Sequence, residues 1–308
     1  MDNVAVIMST YNGEKYLREQ LDSILGQVNV SVTLYVRDDG SVDETKQILS
    51  EYAKHYDSVH VEFAQNVGVG NSFMNALYAT PDTFDYYAFA DQDDIWLENK
   101  LYEAVKTLKD SGANLYVSNQ ECVNGEGKSL GLRWLPDDER VFLNPEGILC
   151  QNVLCGCTMA LTKQFKRIIC KEDKRPAPDV LNLKNHDGWI ALVAAMGKGI
   201  VYDNRSFMKY RQHGANVVGA YKASFGKRLR AKFRKIKHNE LRNYRSKTAR
   251  ELCLKCPELT CKYPIIEMCA GADTRKGKRQ ILKNQKELRR YANEGRSNFW
   301  LKVIFGLF

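Results

Sequence analysis

Apolar residues in the first part of the chain follow two alternating patterns. Short continuous apolar runs predict strands, and apolar residues spaced three or four apart predict helices between them. The predicted strands are Val4–Met8, Val32–Val36, Val59–Phe63, Tyr86–Ala90 and Leu115–Ser118. The predicted helices are Glu14–Gly26, Asp43–Lys54, Gly70–Ala79 and Leu97–Ser111. This alternation predicts βαβ units, and therefore an α/β fold with a mostly parallel sheet flanked by helices.

Residues 119–221 have a less regular pattern. A buried strand is predicted at Cys157–Leu161, and Pro176 and Pro178 predict a polar loop that continues to about Asn185. A short helix and two strands are predicted after it, at Trp189–Met196, Ile200–Tyr202 and Phe207–Tyr210. From residue 222 onward the spacing is helical. We therefore expect a sheet-based domain over residues 1–221 and a helical extension over residues 222–308.

Charge divides the chain at the same place. Residues 222–308 hold 24 Lys and Arg against 7 Asp and Glu, a net charge of +17, whereas residues 1–221 carry −8. Phe225, Leu229, Phe233 and Ile236 form one apolar stripe among these cations, which predicts a basic amphipathic helix. An anionic membrane surface is the favoured partner. An ordinary packed helical subdomain is the alternative, and nucleic acid is disfavoured because no recognised binding module is present.

Other features bear on where the protein works. The chain starts with Met1-Asp2-Asn3 and no basic segment, and no apolar stretch approaches the 18 residues of a membrane span. The 9 cysteines are an odd number, which favours reduced thiols. The Cys253-x-x-Cys256 pair could begin a zinc site, but the later spacings fit none. We expect a cytoplasmic protein on the inner face of the cell membrane.

An acidic segment, Asp91-Gln92-Asp93-Asp94, directly follows the strand Tyr86–Ala90. In an extended segment residues i and i+2 point to the same side, so Asp91 and Asp93 should converge while Asp94 points away. Two carboxylates at a strand end suit Mn²⁺ or Mg²⁺, and such an ion can stabilise a departing diphosphate. The alternative is a solvated acidic loop.

Two further segments end neighbouring predicted strands. The segment Thr10-Tyr11-Asn12 offers a hydroxyl and a ring face to a nucleotide base, and Asp38-Asp39-Gly40-Ser41 offers carboxylates to a base or ribose. Ligands of such sheets bind beyond the carboxyl ends of the strands. The first segment could instead cap the next helix, and the second could be an Asp- and Gly-rich turn.

These segments carry a family resemblance. The residues 8–13, 37–43, 66–68 and 91–96 (MSTYNG, RDDGSVD, NVG and DQDDIW) resemble glycosyltransferase family 2 in order and spacing, over about residues 1–220. The resemblance implies the GT-A fold and inversion of the anomeric centre. The acidic segment is similar to the bacterial rhamnosyltransferase-like branch that builds surface polysaccharides. The Gln-x-x-Arg-Trp motif of processive family members is absent, which favours transfer of a single sugar.

The resemblance implies a role for each matching residue. The nucleotide sugar would contact Thr10, Tyr11, Asn12, Asp38, Asp39, Asn66, Gly68 and Asp91. Asp91, Asp93 and His213 would hold Mn²⁺ or Mg²⁺, and Asp187 would be the general base. The acceptor would contact Gly156, Cys157 and Trp189. From the residues alone, Asp187 is a candidate helix cap, Trp189 is equally compatible with core packing, and a lone histidine such as His213 is often a surface or packing residue.

The predicted function is transfer of one sugar from a nucleoside diphosphate sugar to a glycan or lipid-linked acceptor. The donor implied by the branch is dTDP-rhamnose or a UDP-hexose. A nucleotidyltransferase is disfavoured because no Gly-rich loop with Arg or Lys follows the first strand. A non-catalytic scaffold that binds nucleotide sugars is the alternative from another class, against which the intact Asp93 and Asp187 argue.

Overall fold

The first part of the chain forms alternating strands and helices in a computed structural model, which describes residues 1–135, 138, 141–212 and 243–308. The elements are β1 (Asp2–Thr10), α1 (Leu17–Leu25), β2 (Val30–Asp38), α2 (Thr45–His55), β3 (Val59–Phe63), α3 (Val69–Ala79), β4 (Tyr86–Ala90), β5 (Ile95–Trp96) and α4 (Lys100–Ser111). The βαβ prediction is confirmed here, and β3 and β4 have the predicted bounds.

The remaining described elements complete the sheet and then form a helical extension. They are β6 (Leu115–Val123), β7 (Ser129–Leu132), α5 (Pro145–Cys150), β8 (Met159–Thr162), α6 (Lys163–Ile169), α7 (Pro178–Met196) and β9 (Ile200–Arg211). The extension comprises α8 (Tyr244–Lys255), α9 (Pro257–Thr260), α10 (Pro264–Ala270), α11 (Arg275–Lys283), α12 (Gln285–Ala292) and α13 (Arg296–Ile304). Short 3₁₀ turns lie at Gly156–Thr158 and Glu172–Lys174.

One mixed sheet joins all nine described strands, in the order β3-β2-β1-β4-β8-β6-β9-β5, with β7 paired to β6. The pairings among β3, β2, β1 and β4 are all parallel. In the other half only β6 and β9 are parallel, while the remaining pairs are antiparallel. The α/β fold is confirmed, and the parallel half brings the carboxyl ends of β1, β2 and β4 to one edge.

The predicted polar loop ends earlier than expected, because residues 175–177 are irregular but the chain is helical from Pro178 onward. Pro178 starts α7 at its first turn, where a missing N–H costs nothing. The helix is interrupted at Asn185, whose φ of 57° lies in the left-handed region. Asparagine tolerates that conformation better than most residues. The kink separates a mixed first half, in which Val180 and Leu181 are buried, from an apolar second half.

Side chains of β1 alternate between two apolar layers. Val4 and Met8 pack with α1, α2 and α4, whereas Ala5 and Ile7 pack with α3 and α7. The second layer continues into the C-terminal helices, which contribute buried apolar residues such as Leu252. Each fully buried large apolar side chain stabilises the fold by about 1.5–3 kcal/mol. Residues 243–308 therefore pack as a helical subdomain on the sheet domain.

Two predictions about residues 222–308 have different outcomes. The stripe from Phe225 to Ile236 and the boundary at 221 lie outside the described residues. The zinc alternative finds no support, because within the described ranges the only candidate ligand cluster lies elsewhere, at Asp91. None of the described helices is both long and apolar enough to cross a bilayer.

Candidate active site

The carboxyl ends of β1 and β2 are joined through Asp38. Thr10 and Asp38 are register partners, and the Thr10 hydroxyl donates to Asp38 Oδ1 over 3.0 Å. The backbone N–H of Ser41 donates to Asp38 Oδ2 over 2.9 Å. Thr10 and Asp38 are fully buried, so these bonds hold the turn after β2 in a single geometry.

The loop after β1 is held by two partners. The Asn12 N–H donates to Ser41 Oγ, and Asn12 Oδ1 accepts from the Val42 N–H, each over 2.9 Å. The amide of Gln92 pairs with the Tyr11 backbone in both directions, over 2.9 and 3.1 Å. Tyr11 is left half exposed on this rigid loop. Its ring is therefore available as a stacking surface beside the acidic segment.

Asp39 supports a neighbouring loop. Its carboxylate forms a buried ion pair with Arg37 and accepts the N–H groups of Val67 and Gly68 over 2.9 and 3.0 Å. Gly68 has a φ of 85°, a conformation that favours glycine. The structure thus brings Asp39 and Gly68 together with Asn66, whose side-chain oxygen also accepts from the Gly68 N–H. Asp39 orders the loop before α3.

The acidic segment forms a cluster different from the predicted one. Side-chain ligand atoms of Asp91, Asp94 and Cys157 lie within 4.8 Å of one another. The prediction that Asp94 points away is wrong, because Gln92 and Asp93 form a turn and the alternation of an extended segment does not apply. Asp94 is buried, and its Oδ1 accepts the Arg211 N–H over 3.2 Å. Its Oδ2 has no hydrogen-bond partner within the described part of the chain.

Negative charge accumulates around this cluster. Burial first, and the charge of Asp93 second, raise the pKa of Asp91 to about 7. Burial and the neighbouring Asp91 also raise the pKa of Asp94. Lys100 is buried nearby, and burial lowers its pKa to about 8. A bound cation would stabilise the ionised form of these carboxylates, which burial and mutual repulsion otherwise oppose. Their oxygen donors suit a hard divalent ion.

Arg211, at the end of β9, holds the acidic segment in place through a hydrogen bond to its backbone. Its Nε donates to the Asp93 carbonyl over 3.1 Å and its Nη1 donates to the Gly125 carbonyl over 3.1 Å. Its guanidinium also pairs with Glu19 and lies over the Tyr16 ring. Sequence reasoning missed this residue, because no spacing in the chain announces a contact between β9 and the acidic segment.

Asp187 lies just beyond the kink of α7 and is half buried. Its Oδ1 accepts the N–H of Gly188. The preceding His186 is buried, stacks on Phe73 with ring centroids 4.1 Å apart, and has a pKa lowered to about 3 by burial. A neutral, packed His186 therefore anchors the backbone that carries Asp187.

The three predicted acceptor residues are all buried. Gly156 lies against the His186 ring, because an added Cβ would be 2.3 Å from its Nε2. Cys157 faces the acidic cluster, where it accepts a hydrogen bond from Gln120 Nε2 over 3.0 Å. Trp189 is 0% exposed in the core, so its predicted stacking on an acceptor sugar is corrected to core packing. The apolar second half of α7 turns this ring inward.

Two predicted ligands remain to be located. Asp93 is half buried in the turn, and its charge reaches Asp91. His213 lies outside the described residues. Beside the cluster, Arg133 donates to Gln120 Oε1 over 2.9 Å and contacts Cys155 Sγ. Arg133 follows the irregular strand β7, and its sequence context carried no signal for this position.

Comparison with known sequences identifies a family. The pattern described as Glycosyl transferase family 2 matches residues 5–169. The dTDP-rhamnosyl transferase RfbG of Shigella flexneri is 32% identical over 235 residues, which cover 72% of this chain and 78% of that protein. An uncharacterized glycosyltransferase of Nostoc is 29% identical over 41% of this chain and 39% of its own length.

Solved structures show the same fold at low sequence identity. TarS of S. aureus, residues 1–349 in complex with UDP-GlcNAc, superimposes with a TM-score of 0.56 at 16% identity, covering 98% of this chain and 90% of that one. A mannosyltransferase of Pyrobaculum calidifontis in complex with GDP-Man and Mn²⁺ gives 0.52 at 15% identity, covering 98% and 86%. At this identity the likeness bears on the fold alone.

Proposed function

The chain belongs to glycosyl transferase family 2, and we propose that it moves one sugar, with inversion, from a nucleoside diphosphate donor to a glycan or lipid-linked acceptor in cell-surface polysaccharide synthesis. The donor would be dTDP-rhamnose or a UDP-hexose. The rhamnosyl relative, identical at 32% of the aligned positions, supports the first of these.

The donor nucleotide would lie at the carboxyl edge of β1 and β2. The half-exposed Tyr11 offers a ring face to the base, and the ordered loops around Asp38 and Gly68 surround it. Thr10 and Asn12 hold that surface rigid through their bonds to Asp38 and Ser41. A preorganised site loses little conformational entropy on binding, which favours affinity.

The diphosphate would lie beside the acidic segment. Asp91 and Asp93 would hold Mn²⁺ or Mg²⁺, with His213 as a further ligand. The raised pKa of Asp91 and the unpaired oxygen of Asp94 support a cation at this position. When bound, the ion offsets the negative charge that develops on the departing diphosphate.

The observation that carries the proposal is the proximity of Asp187 to this cluster. Burial and the charge of Asp93 are the main causes that raise the pKa of Asp91, and the charge of Asp187 adds a smaller effect in the same direction. In the proposed complex, Asp187 would face the sugar from the side opposite the leaving group. Its carboxylate takes the acceptor hydroxyl proton, the acceptor oxygen bonds to the anomeric carbon, and the bond to the diphosphate oxygen breaks. One displacement inverts the anomeric centre, and such a base contributes about 10²–10⁴-fold.

The first test separates donor binding from catalysis. UDP, dTDP, GDP and CDP are each compared with and without Mn²⁺ in a thermal shift assay, where a ligand at 100 times its Kd stabilises by about 2.7 kcal/mol. We expect a metal-dependent shift with dTDP or UDP. The Asp187→Asn variant should keep this shift and lose about 10²–10⁴-fold in turnover. Full activity in Asp187→Asn would remove the base assignment, nucleotide binding by a wild type without turnover would favour the scaffold, and no shift with any nucleotide would refute the donor site.

We also propose that the C-terminal part lies on an anionic membrane surface. Four apolar residues of α13 and its end are exposed, from 41% for Trp300 to 65% for Phe305, with Leu301 and Ile304 between them. Lys278, in the strongly basic α11, donates to the Ile304 carbonyl over 2.8 Å. Apolar side chains beside cations are typical of interfacial helices.

Vesicle sedimentation tests this surface. The wild-type protein should bind vesicles that contain phosphatidylglycerol and not vesicles of phosphatidylcholine alone, because the attraction is largely electrostatic. The double variant Leu301→Ser/Phe305→Ser should bind less, whereas Ile168→Ser, which removes an exposed apolar residue on α6, should bind as the wild type. Equal binding of all three proteins would contradict the proposal.

A further inference from the structure

A cavity of about 440 Å³ lies where the kink of α7 faces the C-terminal helices. Asp187 and Arg133 line it on the side of the sheet domain. Tyr244, Arg245, Glu294 and Lys302 line it on the side of the helical extension. The helical extension is therefore one wall of the space into which the proposed base points.

The wall opposite Asp187 is built around Glu294. Its Oε1 pairs with Arg245 Nη2 over 2.9 Å and with the ammonium group of Lys302. Arg245 also donates to the Cys150 carbonyl at the end of α5, over 2.9 Å from Nη2 and 3.2 Å from Nε. This ion cluster thus joins α8, the loop after α12 and α13 to the sheet domain at the cavity itself.

Two polar atoms of this ion cluster are unpaired. Arg245 Nη1 and Glu294 Oε2 are buried and have no hydrogen-bond partner among the residues that the structure describes. The side chains are 2% and 8% exposed. Buried polar atoms are nearly always hydrogen-bonded in proteins, so this ion cluster uses only part of its own hydrogen-bonding capacity. Packing alone does not explain this arrangement.

We infer that this wall is the acceptor subsite, in which Arg245, Glu294 and Lys302 bind the hydroxyl groups of the acceptor sugar and orient one hydroxyl toward Asp187. The inference rests on the proposed function and extends it to the C-terminal helices. Tyr244 lies beside the ion cluster and adds an aromatic surface to the same wall. The three charged residues are positioning residues for the acceptor, since the chemistry occurs at Asp187.

The chemistry of the wall favours hydroxyl groups over an anion. A sugar hydroxyl both donates and accepts, so adjacent hydroxyls match a guanidinium donor next to a carboxylate acceptor. A phosphate would meet Glu294 and Asp187 as well as the cations. Although burial opposes ionisation of Glu294, Arg245 and Lys302 lower its pKa, so the carboxylate stays charged and repels anions.

Binding of simple glycosides tests the subsite. Methyl glycosides of rhamnose, glucose and N-acetylglucosamine are titrated into protein loaded with dTDP or UDP and Mg²⁺, and followed by saturation-transfer NMR. We expect the wild type to bind at least one glycoside, and Glu294→Gln and Lys302→Met to bind it at least about tenfold more weakly, as loss of a charge-assisted hydrogen bond produces. Nucleotide affinity should stay within about twofold in both variants, since neither residue contacts the donor edge.

The matched control lies on the same helix as Arg245. Arg250 forms an exposed ion pair with Asp273, and Arg250→Met should leave glycoside binding unchanged. Lys302 is partly exposed, so Lys302→Met should fold normally. It therefore tests glycoside binding at this wall even if a change at the buried Glu294 lowers stability.

Three outcomes overturn the inference: unchanged glycoside affinity in both variants, no glycoside binding by nucleotide-loaded wild type, or displacement of the glycoside by inorganic pyrophosphate alone. Loss of nucleotide binding by the wild type would instead refute the proposed function. The two failures are therefore distinguishable in one set of titrations.

Discussion

Replacing Gly156 with alanine tests how Asp187 is held in place. The added methyl group would lie 2.3 Å from Nε2 and 2.9 Å from Cε1 of His186, well inside van der Waals contact. His186 cannot turn aside easily, because its ring is stacked on Phe73 at 4.1 Å and packed against Phe89 at 5.1 Å. Overpacking of this kind costs about 1–3 kcal/mol.

The change should lower both stability and turnover. Urea denaturation should show Gly156→Ala to be about 1–3 kcal/mol less stable than the wild type. Since His186 directly precedes Asp187, displacement of the ring also moves the base, and a shift of about 1 Å can cost roughly 10²-fold in rate. Nucleotide binding should be retained, because Tyr11 and Asp38 lie on other loops.

A double-mutant cycle isolates the contact. In a His186→Ala background the space is open, so Gly156→Ala should cost at least about 1 kcal/mol less than in the wild type. Gly295→Ala is the control, since Gly295 has no atom within 4 Å of an added Cβ. Its φ of −62° also suits alanine. An equal cost of Gly156→Ala in both backgrounds, or no cost at all, would refute the reasoning.

Three other predictions address separate residues. Asp39→Asn leaves the buried Arg37 without its carboxylate partner and should lower the free energy of unfolding, measured in urea, by about 3 kcal/mol. Glu51→Gln breaks an exposed ion pair and should lower it by less than about 1 kcal/mol. Equal losses of stability in the two variants would contradict this prediction. The pKa of His186 is lowered to about 3, and the unfolded chain takes up that proton near pH 6.5. The stability due to the neutral ring is therefore complete above about pH 6.5 and is lost as the pH falls toward 3, so His186→Gln should show a shallower decline in urea midpoint between pH 7.5 and 5; parallel declines would contradict this. Tyr11→Ala should weaken dTDP or UDP binding by calorimetry by about 1–3 kcal/mol, the worth of a base stacked on an aromatic ring, without changing the unfolding temperature of the ligand-free protein; unaltered affinity would exclude stacking.

Periodicity located the elements of the parallel half well. The strands Val59–Phe63 and Tyr86–Ala90 have the predicted bounds, because each is a buried apolar run ended by polar residues. Only the second half of α7 was predicted, as Trp189–Met196; the first half was missed, since Pro178 signals a break but here begins a helix. Prolines in the first turn and in a loop look alike in a sequence.

The site was predictable only in part. Residues at strand ends could be placed at one edge, because parallel strands bring their carboxyl ends together. The turn at Gln92 could not be foreseen, and with it the inward position of Asp94. The roles of Arg211 and Arg245 depend on contacts between segments far apart in the chain, for which no local pattern exists.

Helix α13 connects the proposals about the acceptor and the membrane. Phe299 and Val303 bury one face of it in the core, Lys302 lines the cavity, and Leu301 with Phe305 is exposed to the outside. A helix with its side chains is only about 10–12 Å across. A lipid-linked sugar in the cavity would therefore have its lipid within reach of a bilayer that contacts the exposed face. Because Lys302 and Leu301 are consecutive in α13, the proposed acceptor subsite and the proposed membrane surface would lie on adjacent faces of one short helix.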